Sequence, residues 1–250
     1  MGERSPRATL TTTAGRPARR TVIVSGAAVI IVLAAVNVTF HEVPGSNYWL
    51  GLPCAAGLIA LARSIGLGWD DLGLSPDRLK AGAIWAAAAI LAVASVYALA
   101  VLLPATRRAF LDNRYHVSAG DALITAFVRI PLGTILFEEI AFRGVLWALF
   151  ARLMTPVYVV LATSVLFGLW HVLPSLHLAS ANAGVADAVG GTGGSASVLA
   201  VLGAVGITAI GGVVFGEARR RSGSLLASAG LHWATNGLGV LFGLAAWHLR

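Results

Sequence analysis

Charge is scarce in this sequence. Asp, Glu, Lys and Arg make up 12% of its 250 residues, against about 25% in ordinary soluble domains. The single cysteine, Cys54, excludes an intramolecular disulfide and any multi-cysteine metal site. Lysine occurs once, at Lys80, against 17 arginines, a compositional habit with no functional content. No H-E-x-x-H string is present, so the usual helical zinc motif is missing. The G-x-S-x-G elbow, the Walker A loop and G-x-G-x-x-G are absent too, which removes that serine nucleophile and leaves no nucleotide site.

What fills the sequence instead is apolar. Hydrophobic residues reach 57% and mean hydropathy is +0.81. A soluble fold of this size could not hide so much apolar surface. A disordered chain, a nucleic-acid-binding domain and an ordinary soluble enzyme are excluded, and a multi-span membrane protein remains. The net charge of +7 does not change this. Its arginines flank apolar stretches, where positive charge sets orientation.

Seven apolar segments can be drawn, near 21–40, 48–66, 81–103, 121–151, 155–172, 197–217 and 222–248. The expected fold is all-α, a transmembrane helix bundle of about seven spans. The fourth segment, if straight, would be roughly 46 Å long. It must tilt, protrude or kink at Pro131, and splitting it would give eight spans. Residues 1–20 are basic and rich in Thr, Pro and Gly, a disordered cytoplasmic tail. Residues 21–110 read as N-terminal transmembrane helices and 120–248 as the functional core. Residues 173–197, with Gly190-Gly191 and Gly193-Gly194, read as a flexible loop. With the N-terminus inside, Lys and Arg divide 12 inside to 4 outside. The positive-inside rule therefore places the N-terminus and Arg219–Arg221 in the cytoplasm of a cell with this protein in its inner membrane. Arg107, Arg108 and Arg114 are the misfits to that map.

Ionisable side chains at bilayer depth mark functional sites. Among the 11 acids, only Glu138 and Glu139 lie deep within an apolar stretch. Glu139 and Arg143 are i and i+4, with the acid on the N-terminal side, the favoured order for an intrahelical ion pair. Glu138 lies about 100° round the helix, its i+4 neighbour is Phe142, and it is free for chemistry. The alternative is a buried ionic cluster that only fixes packing. His171 follows late in the fifth segment, after Trp170. In the last segment His232 and Asn236 share one helix face. Either could instead be interfacial or interhelical glue. By residue count Glu138, His171 and His232 lie roughly 20, 24 and 15 Å from the inner ends of their helices, so three helices bring them to similar depth.

A carboxylate, two imidazoles and an amide in a dry bundle suit water activation by a general base and stabilisation of an oxyanion by donors. Amide hydrolysis is the expected reaction. If a divalent metal such as zinc is held, its ligands are Glu138, His171 and His232.

Glu138-Glu139-x-x-x-Arg143, Phe167-x-x-x-His171 and His232-x-x-x-Asn236 resemble, in order and spacing, the three motifs of the CPBP (Abi) intramembrane proteases. That family includes the type II CAAX prenyl endopeptidases and the lysostaphin-resistance-protein-A-like bacterial proteins. Phe142-Arg143-Gly144 and Gly223-Ser224-Leu225 extend the likeness, which covers about residues 120–245. It implies a helical membrane bundle with its site open to the cytoplasm. It also implies Glu138 as general base, His171 holding the attacking water, His232 and Asn236 lining the oxyanion site, and Glu139 with Arg143 as support. The implied partners are the lipid bilayer and a membrane-associated or lipidated protein substrate, with no nucleic acid. A bacteriocin-immunity or scaffold protein and a small-solute transporter are the alternatives.

Overall fold

The computed structural model describes residues 17–250; most of the expected basic tail, residues 1–16, lies outside the described residues. The protein is all-α. We label its long helices α1 (Arg19–Glu42), α2 (Ser46–Ser64), α3 (Leu79–Leu102), α4 (Ala119–Phe150), α5 (Pro156–Trp170), α6 (Gly194–Ser222) and α7 (Leu225–His248). Each of the seven apolar segments of the sequence falls on one of them. Among the described residues, four helices are long and apolar enough to cross a membrane: α1, α3 with its lead-in (Pro76–Leu102), α4 and α6. α5 is apolar but only 15 residues long. The outward faces carry large apolar side chains, with Ile31, Leu91, Ile207 and Ile210 each 67–72% exposed. In water that surface would be untenable; against lipid it is the expected one. The protein is an integral multi-pass membrane protein.

α4 is the central element. Residues 137–149 are buried without a break, as befits a helix enclosed on all sides. Its long apolar run does not remain a regular α-helix. Residues 125–129, 131–135 and 140–146 are wound as π-helix. Pro131 explains the first two. It has no N–H to donate, and its ring crowds the preceding turn. The Ile130 N–H bonds to the Thr125 carbonyl, an i→i+5 bond. Five residues after Ala126 stands Pro131, so the Ala126 carbonyl has no such donor. The Trp233 indole N–H of α7 donates to it at 2.8 Å. This is the repair by a neighbouring helix that a broken ladder in an apolar medium requires.

The helices pack through small residues. Between α5 and α6, a methyl group on Gly168 would sit 2.8 Å from the Val205 carbonyl oxygen. Between α3 and α7, one on Gly230 would overlap Ala86. Lipid supplies no hydrophobic drive between helices, so close backbone approach provides the cohesion. α6 turns directly into α7 through Gly223, whose φ of +69° favours glycine.

The two ends of the bundle are tied separately. At one, Arg152 bonds to Asp71 at 2.7 Å, Arg219 donates to the Asp70 and Asp71 carbonyls, and the Leu225 N–H donates to the Gly73 carbonyl at 2.8 Å. At the other, Arg107 donates to the Leu249 carbonyl at 2.7 Å, Arg108 pairs with Asp187, and Asp112 bridges to Asn182. Residues 173–197, expected as a flexible loop, contain the short helices Leu178–Ala181 and Ala183–Val189. The Asn182 side chain caps the second by accepting the Val185 N–H at 3.0 Å, a capping role for which Asn is well suited.

Candidate active site

The polar residues singled out in the sequence come together from three helices. Glu138 and Glu139 sit in the α-helical turn of α4 that precedes its third π-wound stretch. The Arg143 guanidinium donates to Glu139 Oε1 at 3.1 Å, and neither side chain is more than 1% exposed. The expected i,i+4 pair is therefore present. Arg143 lies 4.0 Å from the Phe167 ring centroid of α5 and 5.1 Å from that of Phe215 of α6, cation–π contacts that matter most where water is excluded.

His232 of α7 joins both acids. Its Nδ1 lies 2.9 Å from Glu139 Oε1 and its Nε2 lies 3.8 Å from Glu138 Oε2. The carboxylate can only accept, so Nδ1 carries the proton in this bond. The imidazole stacks on Phe215, centroids 4.9 Å apart. His232 is 2% exposed. It lies with Glu139 and Arg143 behind Glu138.

Glu138 is not unattended, as its i+4 neighbour alone would imply. Its Oε1 accepts the Trp170 indole N–H at 2.8 Å. Trp170 is held in turn by Asn37 of α1, which donates to the Trp170 carbonyl at 2.8 Å. Glu138 Oε2 is buried and has no hydrogen-bond partner among the described residues.

In front of Glu138 is a cavity of about 560 Å³. Glu138, His171 and Asn236 all line it. His171 caps the end of α5, and its Nδ1 lies 2.8 Å from the Phe167 carbonyl. Nδ1 is thereby the donor, which leaves Nε2 as the acceptor of the neutral ring. The lining runs outward from Glu138 to His41, Asn47, Arg114, Pro174 and Ser175. Burial alone would push the Asp112 carboxyl up. The hydrogen bonds from the Arg114 guanidinium, at 2.9 and 2.7 Å, together with its charge outweigh that, and the Arg114 backbone N–H adds to it. The carboxyl is held below the usual carboxylate range.

The six residues expected to form the site thus occupy two layers, Glu138, His171 and Asn236 on the cavity and Glu139, Arg143 and His232 behind it. Trp170, Asn37, Asn47 and Arg114 were missed as site residues. Trp170 stood beside His171 in the motif, and Asn37 and Asn47 are amides in or beside apolar runs. Their helices, however, carry no motif that connects them to the acids.

A metal site needs three or more converging donors. Among the described residues, no three His, Cys, Asp or Glu side chains form a group that could hold a metal ion. The proposed set of Glu138, His171 and His232 lacks that convergence, and no step below is routed through a metal.

Residues 120–238 match the family described as type II CAAX prenyl endopeptidase, Rce1-like. The protein carries a domain of this family. The matched stretch runs from the start of α4 to Leu238 of α7 and includes all six residues. Helices α1, α2 and α3 lie outside it, although Asn37 and Asn47 contribute to the cavity wall. No curated protein and no solved structure matches the chain.

Proposed function

We propose that the protein is an intramembrane endopeptidase that hydrolyses peptide bonds with a glutamate-activated water, acting on a membrane-associated or lipidated polypeptide. In this reading α1–α7 all span the membrane. The observation that carries it is Glu138: a buried carboxylate with one oxygen tied to Trp170 and the other without a hydrogen-bond partner among the described residues, lining a cavity shared with His171 and Asn236.

The chemistry follows from those groups. Glu138 Oε2 takes a proton from a water oriented by the free Nε2 of His171. The water oxygen bonds to the scissile carbonyl carbon, and the carbonyl oxygen becomes an oxyanion. The Asn236 amide donates to it, a contact stronger in the transition state than in the ground state. Collapse breaks the C–N bond while protonated Glu138 returns the proton to the leaving nitrogen. Glu139, Arg143 and His232 act from behind. Their ion pair and bridging imidazole hold the Glu138 helix and charge balance in place, so His232 is a positioning residue in this scheme.

The test is cleavage of a membrane-reconstituted peptide library by purified protein beside Glu138→Gln. Gln keeps the acceptor for Trp170 but cannot take a proton. A folded variant should lose about 10²–10⁴-fold in rate. A folded variant cleaving at the parent rate ends the assignment. A scaffold or immunity protein predicts no cleavage by the parent, and a transporter predicts transport without cleavage.

A further inference from the structure

The cavity and the basic residues lie at opposite ends of the bundle. The cavity lining reaches the end of α1, the start of α2, the 103–118 connection and the segment after α5, through His41, Asn47, Arg114 and Ser175. The other end collects Arg19, Arg20, Arg63, Arg78, Lys80, Arg152 and Arg219–Arg221, nine cations, and the sequence before α1 adds Arg4, Arg7 and Arg16. At the cavity end are Arg107, Arg108, Arg114 and Arg250. Counting Arg129, exposed on α4, the division is still 12 to 5. Arg107, Arg108 and Arg114 count at full weight among those five, whatever they are bonded to, and the excess at the other end carries the assignment.

Connections this short obey the positive-inside rule, and the arginine-rich end belongs in the cytoplasm. The end that carries the cavity then faces away from it. This conflicts with the cytoplasmic opening that family likeness implies. Both cannot hold, since the structure puts His41 and Arg114 at the far end of the bundle from Arg63 and Arg219.

We propose that the Glu138 cavity opens on the extracytoplasmic side and takes as substrate a peptide segment presented at the outer face of the membrane. The orientation stands on charge and geometry alone; the substrate rests on the peptidase reading above. A prenylated cytosolic C-terminus, which is delivered to the inner leaflet, could not reach Glu138 without crossing the bilayer. A secreted or outward-facing membrane polypeptide reaches it directly through the mouth.

The test uses the full chain with Cys54→Ser and either Ser180→Cys, an exposed position near the mouth, or Ser64→Cys, exposed at the arginine-rich end. A membrane-impermeant maleimide should label Ser180→Cys in intact cells and Ser64→Cys only after permeabilisation. Alkaline phosphatase fused after Arg250 should be active, as the C-terminus shares the cavity end. Labelling at Ser64→Cys in intact cells, protection of both sites until the cells are opened, or an inactive phosphatase fusion overturns the orientation. Cleavage is read separately, with purified protein in vesicles of sorted orientation. Glu138-dependent cleavage should appear only for peptide added on the Ser180 side. Outside labelling with no cleavage from either side overturns the peptidase reading and its substrate while the orientation stands. Cleavage with reversed labelling overturns the inference and leaves the peptidase.

Discussion

Trp170 donates its indole N–H to Glu138 Oε1 at 2.8 Å, joining residues 32 positions apart on different helices. The bond selects which carboxylate oxygen is left for chemistry. It also fixes that oxygen with respect to His171, the next residue along the chain.

Trp170→Phe should therefore misorient the base without emptying the site. Phe keeps the edge contacts with Phe40 and Phe142 and removes only the donor. A hydrogen bond to a charged group is worth about 1.5–3 kcal/mol, so kcat should fall on the order of tenfold to a hundredfold with KM little changed. Steady-state kinetics on the purified variant would check it. A rise in KM alone would mean that Trp170 contacts substrate rather than the base.

Arg143→Leu should destabilise the protein strongly. It strands Glu139, which is fully buried and whose remaining partner is His232. Removing one member of a buried pair costs about 3–5 kcal/mol. Arg143→Lys should be tolerated only in part, because an ammonium cannot lie as a flat plate against Phe167 and Phe215. Thermal stability in detergent is the measurement, and a Leu variant as stable as the parent would refute the pairing.

Trp233→Phe tests the repair of α4. Phe preserves the ring beside Phe127 but leaves the Ala126 carbonyl without its donor. An unsatisfied buried acceptor costs about 1–3 kcal/mol. Thermal unfolding should shift down, while Trp233→Gln, if its amide reaches Ala126, should recover part of the loss. Unchanged unfolding in Trp233→Phe would show that the π-wound turn needs no outside donor.

Asp112 gives a pH dependence with a defined sign. Its folded pKa is depressed by Arg114, so its stabilisation is present above the ordinary carboxylate range and fades as pH falls through the folded value. Asp112→Asn should be less stable than the parent at neutral pH, and the gap should close on acidification. Melting temperature against pH, for both proteins, is the check. A gap independent of pH would mean that Asn disrupts the loop for reasons other than charge.

The apolar segments, the i,i+4 geometry of Glu139 and Arg143 and the gathering of residues from three helices around the two acids were legible in the sequence. Their cause is local. In lipid a regular helix pairs its backbone groups within itself, so span length and residue spacing translate directly into position. The wide turns of α4 were half legible: Pro131 announced a break, but the form it took depended on Trp233 arriving from α7 with a donor. The partner of Glu138 could not be read at all. Nothing in the spacing of residues 138 and 170 tells which face of α5 meets α4, because that is set by how the glycines of α5 and α6 let two backbones approach. The same holds for the two-layer order of the site. His232 and Asn236 share a helix face by periodicity, yet only the packing of α7 against α4 puts the imidazole behind the carboxylates and the amide on the cavity. Charge along the chain determined which end is arginine-rich, and the tertiary structure decided that the cavity opens at the other, since its walls are built from six helices whose relative rotation no single segment encodes.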